Sequence, residues 1–124
     1  MNIHLFQSGT FAPDATHRWT SSIARDKKYN ILLGYSKSSA TTHPSIQVAG
    51  RSIGDPSGTL GPEVTVVNGN GSQLSSQNRW GDYSAMRIDP VDNCTFWFTT
   101  EYYQINQRFD WSTDIGKFKF SNCH

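Results

Sequence analysis

The sequence predicts an all-β chain of two four-stranded antiparallel repeats, with a two-layer β-sandwich of the same eight strands as the alternative. Three observations lead there. The chain repeats itself: "HRWTSSIARD" (His17 to Asp26) returns as "NRWGDYSAMRID" (Asn78 to Asp89), which sets Trp19 on Trp80 and, after a two-residue insertion, Asp26 on Asp89. Apolar residues alternate or run continuously, and no window keeps them at i, i+3, i+4 and i+7 beyond about two turns. The connectors are dense in Gly, Pro, Asn and Asp, the residues that tight turns require.

Each element has a local reason to be a strand. "NIHLFQSG" (Asn2 to Gly9) corresponds to "EVTVVNGNG" (Glu63 to Gly71), and both are expected to pair. "NILLGYSKSS" (Asn30 to Ser39) corresponds to "CTFWFTTEYY" (Cys94 to Tyr103); such continuous runs suit strands covered on both faces. "HPSIQVAGRSI" (His43 to Ile53) corresponds to "WSTDIGKFKF" (Trp111 to Phe120). The first alternates at Ile46, Val48 and Gly50, and the second sets Ile115, Lys117 and Lys119 against Phe118 and Phe120, so each should turn one side to a core and the other to water. Turns are expected at Asp26-Lys27-Lys28, at "GDPSGTLGP" (Gly54 to Pro62), at "NGNGS" (Asn68 to Ser72) and at Asp89-Pro90-Val91-Asp92-Asn93. The period is about 61 residues, with repeat 1 at about 2–62 and repeat 2 at about 63–123 of one domain, 1–124. A self-similar period of this kind is the mark of stacked β units.

The composition excludes several classes. A net charge of +1 lacks the basic excess that phosphate backbones demand, so no nucleic acid is expected as a partner. The one dense basic run, "RDKK" (Arg25 to Lys28), falls in a turn. No apolar run approaches the length of a membrane span. The N-terminus "MNIHLFQSGTF" lacks the charged and apolar regions of an export signal, so the chain is either cytosolic or a piece whose signal lay upstream. The two cysteines favour the second case. Cys94 starts one strand and Cys123 follows its antiparallel partner, placing both at the open end of one hairpin. A bridge there would contribute about 3–4 kcal/mol in the chain-entropy model and would imply an exported, extracellular protein; two buried thiols are the alternative.

On these residues the chain resembles a family. Four-stranded units with an Arg-Trp motif and an Asp-rich inter-strand turn look like blades of a sialidase/BNR-type β-propeller. "RWGDYSAM", "DPVDNCTFWFTTEYY" and the closing "IGKFKF…C" are similar to the C-terminal part of large secreted bacterial proteins of that class, whose activity is mostly unassigned. The order S-x-D-x-G-x-T-W is complete in neither repeat. The resemblance implies a partial β-propeller whose repeats are out of phase: an outer strand first, then a blade with its own outer strand, then a three-stranded blade. Rings of this kind need four to eight blades, so the expected partners include missing propeller blades or further copies in a homo-oligomer.

Arg18-Trp19 and Arg79-Trp80-Gly81-Asp82-Tyr83 lead into corresponding strands. An arginine beside aromatic rings can clamp a carboxylate and stack on a sugar, so Arg18, Trp19, Arg79, Trp80, Asp82 and Tyr83 are the candidate ligand-binding residues. The competing reading is that the tryptophans pack between units and that arginine pairs with Asp82 or a backbone carbonyl. Glu101 and Tyr103 match the activated tyrosine pair of sialidase chemistry, with Arg18 and Arg79 as carboxylate holders, although the Arg-Ile-Pro segment of that family is missing. Asp82, Asp89, Asp92 and Asn93 are hard oxygen donors, but their spacing matches no calcium loop, and the histidines share no ligand spacing. No metal and no cofactor is expected. The leading function is a non-catalytic binding or scaffold module of a secreted protein, meeting carbohydrate or another cell-surface polymer. The second is part of a sialidase-like glycoside hydrolase.

Overall fold

The computed structural model describes residues 1–124 and contains seven strands in two antiparallel meanders, with no helix. Strands β1 (His17–Arg25), β2 (Ile31–Ser39), β3 (Thr42–Arg51) and β4 (Glu63–Val67) form a sheet in the order β1-β2-β3-β4. Strands β5 (Ala85–Ile88), β6 (Thr95–Tyr102) and β7 (Ser112–Lys119) form the second, in the order β5-β6-β7. The all-β expectation holds with seven strands rather than eight: repeat 1 supplies β1, β2 and β3, repeat 2 supplies β4 to β7, and β4 pairs across the repeat boundary, so the second sheet is three-stranded. Asn2–Gly9 forms no strand. It lies instead against the Gly58 turn, whose N–H donates to Gln7 Oε1 at 3.1 Å, and Ile3, Leu5 and Phe6 remain more than 80% exposed. Its counterpart β4 closes the outer edge of the first sheet, so the matching edge of β7 is left unpaired.

The sheets pack face to face, β1 beside β5 and β3 against β6. Leu32, Ile46 and Val48 from the first sheet meet Met86, Phe96 and Phe98 from the second. Each such side chain contributes about 1.5–3 kcal/mol on leaving water. Gly34 makes the closest approach possible, because a side chain there would fall 2.7 Å from the Phe98 ring. Leu32 and Phe96 hold corresponding places in the repeat, yet both point into the shared core. Successive blades of a ring would turn corresponding faces the same way. Two corresponding faces meeting is the arrangement of a two-layer sandwich, and neither sheet closes on itself.

The repeat is visible in the backbone. The residue after each motif tryptophan has positive φ, 49° at Thr20 and 30° at Gly81, and so does a residue late in each inter-strand turn, 67° at Tyr29 and 54° at Asn93. The first turn closes with the Tyr29 N–H on the Asp26 C=O, and the second, one residue wider, with the Asn93 N–H on the Asp89 C=O. Asp26 Oδ1 caps the N–H groups of Lys28 and Asn30, and Asp92 Oδ1 caps those of Cys94 and Thr95. The two turns touch through the Lys27 N–H and the Asn93 C=O at 2.9 Å.

One alternation expectation fails. In β3, Gln47, Ala49 and Arg51 are buried along with Ile46 and Val48. The side supposed to face water is covered: the Arg51 guanidinium donates to the carbonyls of Asp55 and Pro56, and Gln47 accepts from the Thr65 hydroxyl. In β7 the alternation holds, with Ile115, Lys117 and Lys119 exposed. The Cys94–Cys123 disulfide forms, with Cα atoms 5.6 Å apart and both residues fully buried, and ties the start of β6 to the end of β7. No helix is long and apolar enough to cross a membrane.

Candidate functional site

The first Arg-Trp motif is consumed by structure. Arg18 grips Glu63 with two parallel bonds, Nε to Oε1 at 2.7 Å and Nη2 to Oε2 at 2.9 Å, and also reaches Asp14 at 2.9 Å. The Lys37 ammonium and the Tyr35 hydroxyl add bonds to Glu63 at 2.6 and 2.7 Å. All lie on the outer face of the first sheet, where β4 brings its carboxylate over β2. Arg18 holds the Glu63 carboxyl at about 2, well below the ordinary 4.5. Burial, followed by Glu63, pushes the Tyr35 hydroxyl far above its usual range.

The two tryptophans meet where β1 passes the segment before β5, Trp19 edge-on to Trp80 with ring centroids 5.6 Å apart, and Trp80 also packs on Tyr103 at 5.5 Å. Trp80 Nε1 is the single buried side-chain polar atom without a hydrogen-bond partner. An unpaired buried donor costs about 1–3 kcal/mol, so the indole holds its place by packing.

The second motif opens instead onto a cleft of about 690 Å³ on the outer face of the second sheet. Its floor is β6 and β7, through Thr99, Glu101 and Thr113. One wall is the segment before β5. Here Arg79 pairs with Asp82, Nη2 lying 2.5 Å from both carboxylate oxygens, and the exposed Tyr83 follows. The opposite wall is the β6–β7 connection, where the Trp111 N–H donates to the Phe109 C=O at 3.1 Å. That tight turn presents both rings to the cleft, each slightly more than half exposed.

Backbone bonds tie the β6–β7 connection to residues 70–74. The N–H groups of Asn70 and Gly71 donate to the Tyr103 carbonyl, that of Leu74 to Gln107, and that of Gln107 to Ser72. These bonds restrict a loop that would otherwise lose much entropy on binding. Glu101 is tied in at the base, its Oε1 accepting the Gly81 N–H at 3.0 Å. Burial pushes its carboxyl above the ordinary range, and the nearby Asp82 charge adds to the effect. The positive φ of Gly81 and the 3.1 Å left between a side chain there and Glu101 Oε2 keep the position for glycine.

Of the residues singled out from sequence, the structure brings Arg79, Asp82, Tyr83 and Glu101 to the cleft. Arg18 lies in the ionic cluster, and Trp19 and Trp80 pack on each other. Tyr103 is fully buried, and its hydroxyl accepts from the Gln73 amide at 3.1 Å. Asp89 and Asp92 cap turns, and no group of three or more His, Cys, Asp or Glu side chains is placed to hold a metal ion. Phe109 and Trp111 were not foreseen as site residues: Trp111 reads from sequence as the start of a strand, and only the chain reversal at Asp110 turns it inward. In comparisons with protein families, curated proteins and solved structures, nothing matches this chain.

Proposed function

We propose that this chain is a non-catalytic binding module of a secreted protein and that the cleft beside Glu101 takes carbohydrate of a cell surface or extracellular polymer. One observation carries the reading. Tyr83, Phe109 and Trp111 present exposed rings around a cleft otherwise lined by amides, hydroxyls, two carboxyls and the Arg79 guanidinium. Aromatic faces receive the C–H side of a sugar ring, while amides and carboxyls match its hydroxyls. The disulfide supports an oxidising compartment, since such bridges persist outside the cytosol. A glycan array probed with the intact chain and with Trp111→Ala tests it: binding that the variant loses supports the module, and silence across the array removes it.

The hydrolase reading has one observation in its favour, a carboxyl in the cleft, Glu101, that burial pushes above the ordinary range. Against it, Tyr103 offers no hydroxyl to the cleft and Arg18 is held by Glu63 elsewhere. Turnover of a fluorogenic sialoside, abolished by Tyr103→Phe, would reverse the ranking. The blade reading requires more β units than this chain supplies. The free edge of β7 and the exposed Ile3, Leu5 and Phe6 are where such units, or a second copy, would pair. Light scattering reads this directly, because a lone two-layer module is monomeric.

A further inference from the structure

We infer that the cleft selects uncharged, hydroxyl-rich glycans and rejects acidic ones, an inference that rests on the carbohydrate reading above. Charge accounting on named residues leads there. Arg79 is the one cation lining the cleft, against two carboxyls, Asp82 and Glu101. Arg79 is not free: Nη2 lies 2.5 Å from both Asp82 oxygens and Nε lies 3.2 Å from Oδ1, so the guanidinium edge that would clasp a sugar carboxylate is already occupied from within its own loop. Two-point clasping of this kind is what makes arginine the usual receptor for carboxylates and phosphates. An acidic sugar would have to displace Asp82, and the displaced carboxylate would then stand beside it in the same cleft. Like charges brought together in that way cost binding.

The remaining lining suits a neutral ligand. Gln73 and Gln77 offer amides that both donate and accept, and Thr99 and Thr113 offer hydroxyls that do the same. Glu101 has one oxygen on the Gly81 N–H, and its other oxygen is available to a ligand hydroxyl. Trp111 and Phe109 supply apolar faces that are indifferent to charge. The corresponding place on the first sheet makes the contrast plain. There Arg18 and Lys37 are matched by two carboxylates, Glu63 and Asp14, so both cations are answered from within the chain.

The test uses matched oligosaccharides on the full chain by calorimetry: neutral cello-, xylo- and chito-oligomers against oligogalacturonide and sialyllactose. At least one neutral series should bind about tenfold or more tighter than either acidic one. Asp82→Asn should then release Arg79 and raise affinity for an acidic sugar about tenfold, the value of one added charge-assisted contact. Arg79→Gln removes the one cation and should do the reverse, widening the ratio of neutral to acidic affinity, which keeps the test available if Asp82→Asn folds poorly. Acidic sugars bound as tightly as neutral ones by the unaltered chain would overturn the inference and leave the carbohydrate reading intact. No binding to any member of the panel would remove the carbohydrate reading itself, and the inference with it.

Discussion

The two Arg-Trp motifs begin alike and end with opposite roles. Arg18 is almost wholly covered and held by Glu63, with Lys37 and Tyr35 closing the same carboxylate; Arg79 stands exposed at the lip of a cleft and pairs only with its own neighbour Asp82. The alignment sets Tyr35 with Thr99 and Lys37 with Glu101, so the cleft lining is the counterpart of the ionic cluster with one piece missing. That piece is the fourth strand. β4 delivers Glu63 over the first sheet; the second sheet has no fourth strand, and the residue aligned with Glu63 is Asn2, in a segment that lies elsewhere. The four-stranded sheet buries its motif, and the three-stranded one leaves the same place open. The open one is the cleft proposed to take carbohydrate.

The largest effect should come from the filled side. Glu63→Gln removes the shared partner of Arg18 and Lys37 and leaves two cations facing each other under partial cover. We expect a loss of about 2 kcal/mol, below the value for a fully buried pair because Asp14 and solvent remain at its edge. Acid should expose the same dependence. Glu63 has its folded value lowered from 4.5 to about 2, so its contribution is complete above pH 4.5 and disappears as pH falls through that window. Urea melts of both proteins across it should converge at the acid end. Equal stabilities at neutral pH would mean that the cluster is ornamental and the comparison empty. Arg79→Ala, by contrast, should leave the melting temperature where it is.

A smaller effect separates the two backbones. Both motifs need positive φ after the tryptophan, but the first places a β-branched Thr20 there and the second a glycine. Side chains in that region cost about 1–2 kcal/mol. Thr20→Gly should therefore stabilise by about 1 kcal/mol, since Thr20 is exposed and loses only a long hydroxyl contact to Ser36 at 3.4 Å. Gly81→Thr should destabilise by more, because the added side chain also meets Glu101. Thermal melts that moved both variants in the same direction would show that the two turns are not equivalent.

How much of this was legible beforehand follows from what each feature depends on. The hairpins β2–β3 and β6–β7, their turns and the Cys94–Cys123 bridge depend on local pattern, and the sequence carries them. So does the Arg79-Asp82 pair, which forms within one loop. Glu63 as the partner of Arg18 was not legible: the two are far apart in sequence, and nothing local distinguishes that carboxylate from any other. The same holds for the burial of Tyr103 under Trp80, and for Asn2–Gly9, whose strand-like pattern pairs with no edge of either sheet. Phe109 and Trp111 needed the chain reversal at Asp110 to be seen as one wall.

The smallest expected effect is also the most specific, because it sets the two glutamates against each other. Glu101 has its folded value raised above 4.5 by burial and by Asp82, so the folded chain holds that proton more tightly than the unfolded one. Its contribution is therefore fully present below pH 4.5 and is lost as pH rises through the raised value, the opposite sense to Glu63. Glu101→Gln keeps the shape and the oxygen that accepts the Gly81 N–H but cannot ionise. It should match the unaltered protein at acid pH and become slightly the more stable of the two above the raised value. A stability–pH curve for Glu101→Gln that runs parallel to the unaltered protein across this range would mean that the carboxyl is as free to ionise folded as unfolded, and the cleft is then wetter at its base than its geometry indicates.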